Sequence, residues 1–201
     1  AHQVISAFIE ESPDELIKNM NRLNEKRKKI QEEILVEARK KAKLYEADPI
    51  LFLGGDWHPG VVGITASKLS EEFWKPTWLF QEKDVCKGSA RSIPGFNVTQ
   101  AMLEGSELWL KCGGHSAAGG FSFKKENITS IRKELCLFAQ KIKSQKPSLW
   151  ESKISFDCQL PSSLLKLDLL THLNRMRPYG HSFKEPVFLL EAQVTKVIFY
   201  E

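Results

Sequence analysis

Three glycine-rich clusters contain most of the residues in this sequence that could bind or react with a ligand. The first, DWHPGVVGI at residues 56–64, lies where a strand would turn into a helix. Such a turn directs backbone N–H groups and the positive helix end toward one point, which favours an anion. Trp57 could stack on a base and His58 could donate to a phosphate. The alternative is an ordinary turn with Trp57 in the core.

The second cluster is KGSARS at residues 87–92, with an arginine between two serines. Since side chains alternate along a strand, Ser89 and Arg91 point to the same side. A guanidinium beside a hydroxyl is suited to bind a terminal phosphate, because its N–H donors match phosphate oxygens in pairs. A solvated edge strand is the alternative interpretation of the same spacing.

The third cluster, KCGGHSAAGG at residues 111–120, has four glycines and two alanines. With so little side chain, its backbone can approach a ligand closely. The imidazole of His115 in this cluster can donate, accept or carry a positive charge. We therefore interpret His115 as a candidate functional residue, with a purely structural histidine as the alternative.

Metal ligands are not clustered in this sequence. Hydrolysis of a phosphodiester by two metals needs grouped Asp, His or Glu side chains, whereas the histidines stand apart at His2, His58, His115, His172 and His181. The sequence therefore predicts no metal site on this chain. The cysteines include no CxxC pair, which favours reduced thiols and a cytoplasmic protein: Cys86, Cys112, Cys136 and Cys158.

Overall composition sets few limits on the partner. The net charge of +4 is compatible with a polyanion but does not select one. No run approaches the ~18 apolar residues of a membrane span, so we expect none. The chain begins without Met or a signal peptide and stops in an apolar run at 194–200. Both ends are therefore interpreted as cuts in a longer protein.

A long helix is the first element that the sequence predicts. Ser12 is a suitable N-cap, Pro13 would occupy the first helical position, and Glu15 would complete a capping box. One narrow apolar stripe follows, which leaves two alternatives: a coiled-coil strand or a strut between domains. We favour the strut because the stripe breaks at Arg27.

Strands and helices alternate after Pro49, which indicates the α/β fold class. We predict strands at 50–53, 77–80, 85–87 and 121–123, and helices at 60–73, 98–110 and 128–142. The helix at 60–73 would turn five residues inward: Val61, Ile64, Ala66, Leu69 and Phe73. Gly113 and Gly114 would end the helix at 98–110.

The end of the chain has a different pattern. Residues 144–148 are a linker by composition, and a strand at 154–158, a helix at 162–176 and a strand from 187 follow. This is the opening of a β-rich module. We predict three parts: a connector helix at 1–48, an α/β domain at 49–146 and a partial β-rich region at 147–201.

The three clusters, in their order along the chain, resemble the DHHA1 domain of RecJ exonucleases over about residues 50–143. The sequence LNEKR at 23–27 resembles the connector from the catalytic DHH domain. RPYG at 177–180 and KEPVF at 184–188 resemble the start of the family's OB-fold region. There, residues 182–184 replace the usual Gly, Asn and Pro of the family turn, which affects that turn's geometry.

The resemblance implies a function in recombination and repair. The family degrades single-stranded DNA processively from 5′ to 3′ with Mn²⁺ or Mg²⁺. Those metals bind the DHH domain, whose motif this sequence lacks, so the implied partners are single-stranded DNA and a DHH domain in cis. This chain alone, which we expect to be a monomer, is then predicted not to hydrolyse DNA.

The resemblance also assigns roles to named residues. Ser89 and Arg91 would hold the 5′-terminal phosphate. Gly113, Gly114 and His115 would contact the scissile region, with His115 stabilising charge on the phosphate.

Trp57 and His58 would line the DNA path in the same assignment. Three other functions stay open beside it. One is the DHHA1 module of another DHH phosphoesterase, which cuts oligonucleotides or cyclic dinucleotides and usually lacks an OB region. Another is a non-catalytic nucleic-acid-binding module, like the related domain of alanyl-tRNA synthetases. A structural coiled-coil adaptor, built on the first helix, is a third.

Overall fold

The computed structural model of the protein describes residues 13–180, 182–193 and 195–198, together with positions 5, 8 and 9. It divides into two compact units, Ala1–Ser152 and Lys153–Glu201, which are described separately. The domain boundaries expected at 48/49 and 146/147 stay predictions. Within the described residues, no helix has the length and apolar composition needed to cross a membrane.

Helix α1 spans Asp14–Lys43, about 45 Å at 1.5 Å per residue. Pro13 stands at its N-cap without a side-chain cap, so Pro13 does not occupy the first helical position as predicted. The predicted cap, Ser12, lies outside the described residues. Burial within α1 is concentrated in its second half: residues 21–29 are all exposed, and the buried positions begin at Gln31.

A mixed five-stranded sheet forms the centre of the first unit. Its strands are β1 (Leu51–Gly55), β2 (Thr77–Gln81), β3 (Val85–Arg91), β4 (Lys111–Gly114) and β5 (Ala118–Lys124), in the order β1-β2-β3-β5-β4. The β1–β2 pair is parallel and the other pairs are antiparallel. The α/β class predicted from the sequence is confirmed.

Three further helices pack around this sheet: α2 (Pro59–Phe73), α3 (Val98–Glu104) and α4 (Ile128–Gln145). Short 3-10 turns lie at Ser106–Leu108, Lys125–Asn127 and Pro147–Trp150. The helix predicted at 98–110 was too long, because α3 stops before Gly105 and a 3-10 turn follows. Gly113 and Gly114 therefore belong to β4 and do not end a helix.

One face of the sheet, which we call the closed face, is filled with apolar side chains. Helices α3 and α4 cover it, and its buried residues include Phe52, Trp78, Phe80, Phe121, Phe123, Met102, Ile131 and Leu135. Phe80 and Phe123 meet edge to face with ring centroids 5.0 Å apart. Burial of this many rings makes the closed face the main source of stability.

Helices α1 and α2 cover part of the opposite face, over β1 and β2. Leu51, Leu53 and Leu79 are buried there against residues of both helices. Arg39 of α1 contacts Glu72 of α2 through Nε, 2.9–3.0 Å from both carboxylate oxygens. The predicted inward face of α2 was wrong at one position. Ile64 is 36% exposed, because neighbouring α2 residues turn inward instead: Val62, Thr65 and Ser70.

Among its described residues, the second unit has one short parallel pair, β6 (Cys158–Gln159) with β7 (Phe188–Leu189). Its helix α5 spans Leu167–Arg175, and a separate 3-10 turn, Ser162–Leu164, occupies the start of the helix predicted at 162–176. The strand predicted at 154–158 is formed only from Cys158 onward. Of the apolar run at 194–200, residues 194, 199 and 200 lie outside the described part.

Candidate nucleic-acid interface

On the face opposite the closed face, α2 lies along β3 and the glycine backbone of β5 and β4 is exposed; we call the region from β3 to β4 the open half. Strand register arranges its side chains in three levels: Arg91–Ala118, Ser89–Gly120–Gly113 and Lys87–Ser122–Lys111. A Cβ added at Gly113 or Gly120 would meet no atom within 4 Å. The glycines therefore leave a flat backbone floor that a ligand can reach.

Helix α2 forms a wall beside this floor and runs along β3. A Cβ on Gly63 would lie 3.0 Å from Arg91 Nη2 and 3.2 Å from Ser89 Oγ. One helical turn further on, Ser67 Oγ accepts from Arg91 Nε at 3.1 Å. At the other end, Pro59 lines a groove of about 440 Å³ together with Lys87 and Lys111.

Arg91 is a half-buried cation beside the floor of the open half. Within the described residues, no Asp or Glu lies within salt-bridge distance of it. Burial lowers the pKa of its guanidinium from the ordinary value. Its Nε donates to Ser67 and Nη1 donates to the carbonyl of Ala90, which leaves Nη2 beside Gly63 and Ser89. A charge held in this way is suited to an anionic ligand, because an anion would compensate its desolvation.

The turn between β4 and β5 presents His115. Its backbone N–H donates to Ala118 O at 2.8 Å, its own carbonyl accepts from Thr99 Oγ1 at 2.8 Å, and its side chain is exposed. Ser92 N–H donates to Ala117 O at 2.9 Å, which ties the turn to the end of β3. The structure therefore brings the turn close to the strand that carries Arg91.

Gly114 shapes this turn. Its φ of +145° lies in a region that favours glycine, and a Cβ there would approach Ala118 O to 2.4 Å. Gly113, one residue earlier, has open space instead. The two neighbouring glycines therefore have different structural roles: Gly114 permits the turn, and Gly113 leaves the floor free of side chains.

His58 caps α2, with Nδ1 accepting from the N–H of Gly60 at 3.1 Å. Nδ1 is thus occupied and Nε2 is the nitrogen that can donate to a ligand. The anion site expected at this helix end is weaker than predicted. Pro59 has no N–H, and the first amides of α2 already donate to His58.

Trp57 is not placed to stack on a base, which corrects its assignment to the DNA path. The residue is only 2% exposed and packs in the core beneath α1 and α2. Its indole N–H donates to Glu37 at 2.9 Å, and Lys41 lies 5.0 Å from the ring centroid. Trp57 therefore ties α1 to the turn before α2.

Glu37 is held in its charged form by these contacts. A hydrogen bond from Lys41 lowers the pKa of its carboxyl, burial opposes this shift, and the hydrogen bond from Trp57 lowers it further. Lys41 also donates to Gly54 O at 2.7 Å at the edge of β1. This small network joins α1, β1 and the turn before α2.

Metal ligands are not grouped in the described residues: no three His, Cys, Asp or Glu side chains there could hold one ion. The donors at the open half are instead cations, hydroxyls and amides, which suit phosphate and not Mn²⁺ or Mg²⁺. A metal for phosphodiester cleavage does not fit this set of residues.

Sequence reasoning missed part of this surface. It gave no role to Gly63 of the first cluster and did not include Ser67, although small residues four apart on a helix face the same side. It also gave no role to Lys87 of the second cluster, which shares the alternation of Ser89 and Arg91, or to Lys111 of the third. The pairing that brings Lys111 beside β5 is a long-range contact, so no local signal could have given it.

Two domain families account for most of the chain. Residues 47–141 match the model of the DHHA1 domain, and residues 156–200 match that of the RecJ OB domain. The chain carries a DHHA1 domain and a RecJ OB domain. The resemblance predicted from the three clusters is thereby confirmed.

Individual relatives agree with these domains. The single-stranded-DNA-specific exonuclease RecJ of Bacillus subtilis is 29% identical over 186 residues, covering 90% of this chain and 23% of that protein. RecJ of Escherichia coli is 29% identical over 86% of this chain and 32% of its own length. The crystal structure of RecJ from Thermus thermophilus in complex with Mn²⁺ has a TM-score of 0.76 at 25% identity, covering 94% of this chain and 28% of that one. The chain thus spans about a quarter to a third of these relatives.

Proposed function

We propose that this chain is the part of a 5′-to-3′ single-strand-specific DNA exonuclease that grips the DNA end. The observation that carries this proposal is Arg91, a half-buried guanidinium held by Ser67 beside Ser89, with no carboxylate partner among the residues that the structure describes. A terminal phosphate supplies the missing negative charge and the oxygen acceptors for Nη2 and the serine hydroxyl. The names of the relatives supply the substrate class, single-stranded DNA.

In this proposal the strand lies on the open half, with its 5′ phosphate at Ser89 and Arg91. The backbone of Gly113 and Gly114 lets the scissile phosphate approach, and the exposed ring of His115 donates to it as charge develops. His58 precedes Pro59, which lines the far end of the groove, and its Nε2 would donate to the DNA there. Each of these groups binds or orients the DNA.

Hydrolysis requires a metal site that the described residues do not form. We infer that a DHH domain in cis supplies Mn²⁺ or Mg²⁺, the ions named for the solved RecJ structures. We therefore expect no metal-dependent digestion of single-stranded DNA by this chain alone. We also propose that the chain is a monomer and that the parent protein acts in the cytoplasm.

The test is binding of the chain to three ligands across a salt series: 5′-phosphorylated single strand, 5′-hydroxyl single strand and duplex. We expect tightest binding to the phosphorylated single strand. Arg91→Ala should reduce the preference for the phosphorylated end by roughly tenfold or more, because hydrogen bonds to a charged group contribute about 1.5–3 kcal/mol. Arg91→Lys should recover part of the affinity, since it keeps the charge without the paired donors.

A control removes one positive charge from the other side of the sheet. Lys133→Ala on α4 is exposed and lies behind the closed face, so it should leave end preference unchanged. Equal preference for phosphate and hydroxyl ends in the parent chain would contradict the proposed clamp. A loss of preference in the control as large as in Arg91→Ala would contradict it as well.

A further inference from the structure

We propose a second phosphate subsite on the open half, formed by Lys87, Ser122 and Lys111. It rests on the proposed function, because it assumes that a DNA strand lies on this floor. The three residues stand in register on β3, β5 and β4. Lys87, Ser122 and Lys111 also line one groove with Pro59 at the start of α2.

The two lysines are free to bind an anion. Within the described residues, neither has a carboxylate at salt-bridge distance, whereas the nearby lysines of β5 and the turn after it are paired. Lys124 lies 3.7 Å from Glu126, and Lys125 lies 2.9 Å from Glu82. The open half thus keeps its two unpaired ammonium groups at one level of the floor.

Strand spacing allows both ammonium groups to reach one phosphate. Two inter-strand gaps separate Lys87 from Lys111, about 10 Å between their backbones. Ser122 lies between them and adds a hydroxyl donor. Two flexible lysine side chains can converge over this serine on one phosphate group, with Lys as a point charge at each side.

The repeat of the sheet places this subsite at a fixed distance from the proposed 5′-phosphate clamp. Residues on one face of a strand recur every two positions, about 6.7 Å. A nucleotide has six backbone bonds where an amino acid has three, so a fully extended nucleotide spans roughly 7 Å, about twice the length of one residue. In the proposed function Ser89 and Arg91 together hold the first phosphate, and Gly113, on the level of Ser89, receives the scissile second one. The level of Lys87, Ser122 and Lys111 lies one repeat beyond Gly113 and therefore matches the next phosphate of an extended strand.

The subsite therefore binds the third phosphate from the 5′ end. A 5′-phosphorylated dinucleotide carries two phosphates and stops short of it, whereas a longer strand reaches it. The double variant Lys87→Gln/Lys111→Gln should lose roughly tenfold in affinity for a phosphorylated octanucleotide. The slope of log affinity against log salt should fall in magnitude by about 0.7, the value for one neutralised phosphate on a single strand.

The experiment measures binding of the full chain and its variants to the octanucleotide and the dinucleotide, each with a 5′ phosphate or hydroxyl. The matched control is Lys133→Gln/Lys141→Gln, which removes two exposed lysines from α4. We expect the subsite variant to lose affinity for the octanucleotide only, to keep its preference for the phosphorylated end, and to differ from the control.

The outcomes separate the two proposals. Equal losses for dinucleotide and octanucleotide, or losses equal to those of the control, would overturn the subsite and leave the clamp standing. A parent chain that ignores the 5′ phosphate, combined with a length-dependent loss in the lysine variant, would overturn the clamp and support the subsite. A parent chain that does not bind single-stranded DNA would overturn both.

Discussion

The two sides of β3 and β5 have opposite chemistry. On the closed face, Cys86, Ala90 and Phe123 are fully buried beneath α3 and α4. On the open half, the alternate residues Ser89 and Ser122 face a floor of glycine backbone. Apolar packing on the closed face holds the strands in place, so side chains on the open half are not needed for that packing. The residue types on the open half can therefore serve ligand contact instead of core packing.

The largest expected effect is a difference in stability between substitutions at two neighbouring positions of β5, one on each side of the sheet. We expect Phe123→Ala to lower the free energy of unfolding by about 3–5 kcal/mol, since its ring contacts four other aromatic rings in a dry core. Ser122→Ala, one residue earlier on the open half, should change it by less than about 0.5 kcal/mol. Urea unfolding followed by tryptophan fluorescence measures both. Similar losses in the two variants would refute the division of the sheet.

The two consecutive glycines of β4 should show a smaller difference in stability when each is replaced by alanine. Gly114→Ala should destabilise the chain by about 1–3 kcal/mol, because its φ is +145° and the added Cβ would clash with Ala118 O. Gly113→Ala should be close to neutral in stability, since open space surrounds its Cβ. It should instead weaken binding of single-stranded DNA, because a methyl group then rises from the floor. Melting temperature and affinity, measured on both variants, test this; a stable Gly114→Ala would contradict the account of the turn.

The smallest expected effect concerns Glu37, which lies on α1, away from the open half. Its folded pKa is lowered, so its contribution to stability is present above the ordinary value of 4.5 and is lost as the pH falls through the folded pKa. Glu37→Gln should therefore be slightly less stable than the parent at pH 7 and equal to it in strong acid. Urea midpoints at both pH values measure this.

A matched control for Glu37 is Glu33→Gln, which is exposed on the same helix. This variant removes one negative charge from α1 and leaves the hydrogen bond between Trp57 and Glu37 in place. DNA binding should be unchanged in the Glu37 variant, since Trp57 and its partner serve the packing of α1. A loss of end preference in that variant would reopen the assignment of Trp57 to the DNA path.

Local patterns in the sequence predicted most of the elements, and the reasons for the failures are physical. Alternation gave β3 with Ser89 and Arg91 on one side, and apolar periodicity gave α2 and α4. The end of α3 was wrong because the apolar run continues through the 3-10 turn at Ser106–Leu108. β4 was missed because its four residues include two glycines, which have low strand propensity.

The site was harder to predict than the fold. Residue types singled out Arg91 and His115, but a tryptophan at a turn can face a ligand or the core with the same sequence around it. Only the position of α1, which brings Glu37 to the indole of Trp57, decides between the two. Lys111 lies on the same level as Lys87 because strands distant in the sequence pair through β5, and the local sequence around either lysine does not predict that pairing.

The hydrogen bond from Arg91 to Ser67 has a consequence for the entropy of binding. A free arginine side chain loses about 0.5–1.5 kcal/mol of rotamer freedom when a ligand immobilises it. Here Ser67 and the carbonyl of Ala90 fix the guanidinium before any ligand arrives, so that loss already occurs on folding. The hydroxyl of Ser67 thus acts as a tether that never needs to touch the ligand, and it presents Nη2 as a ready, oriented donor.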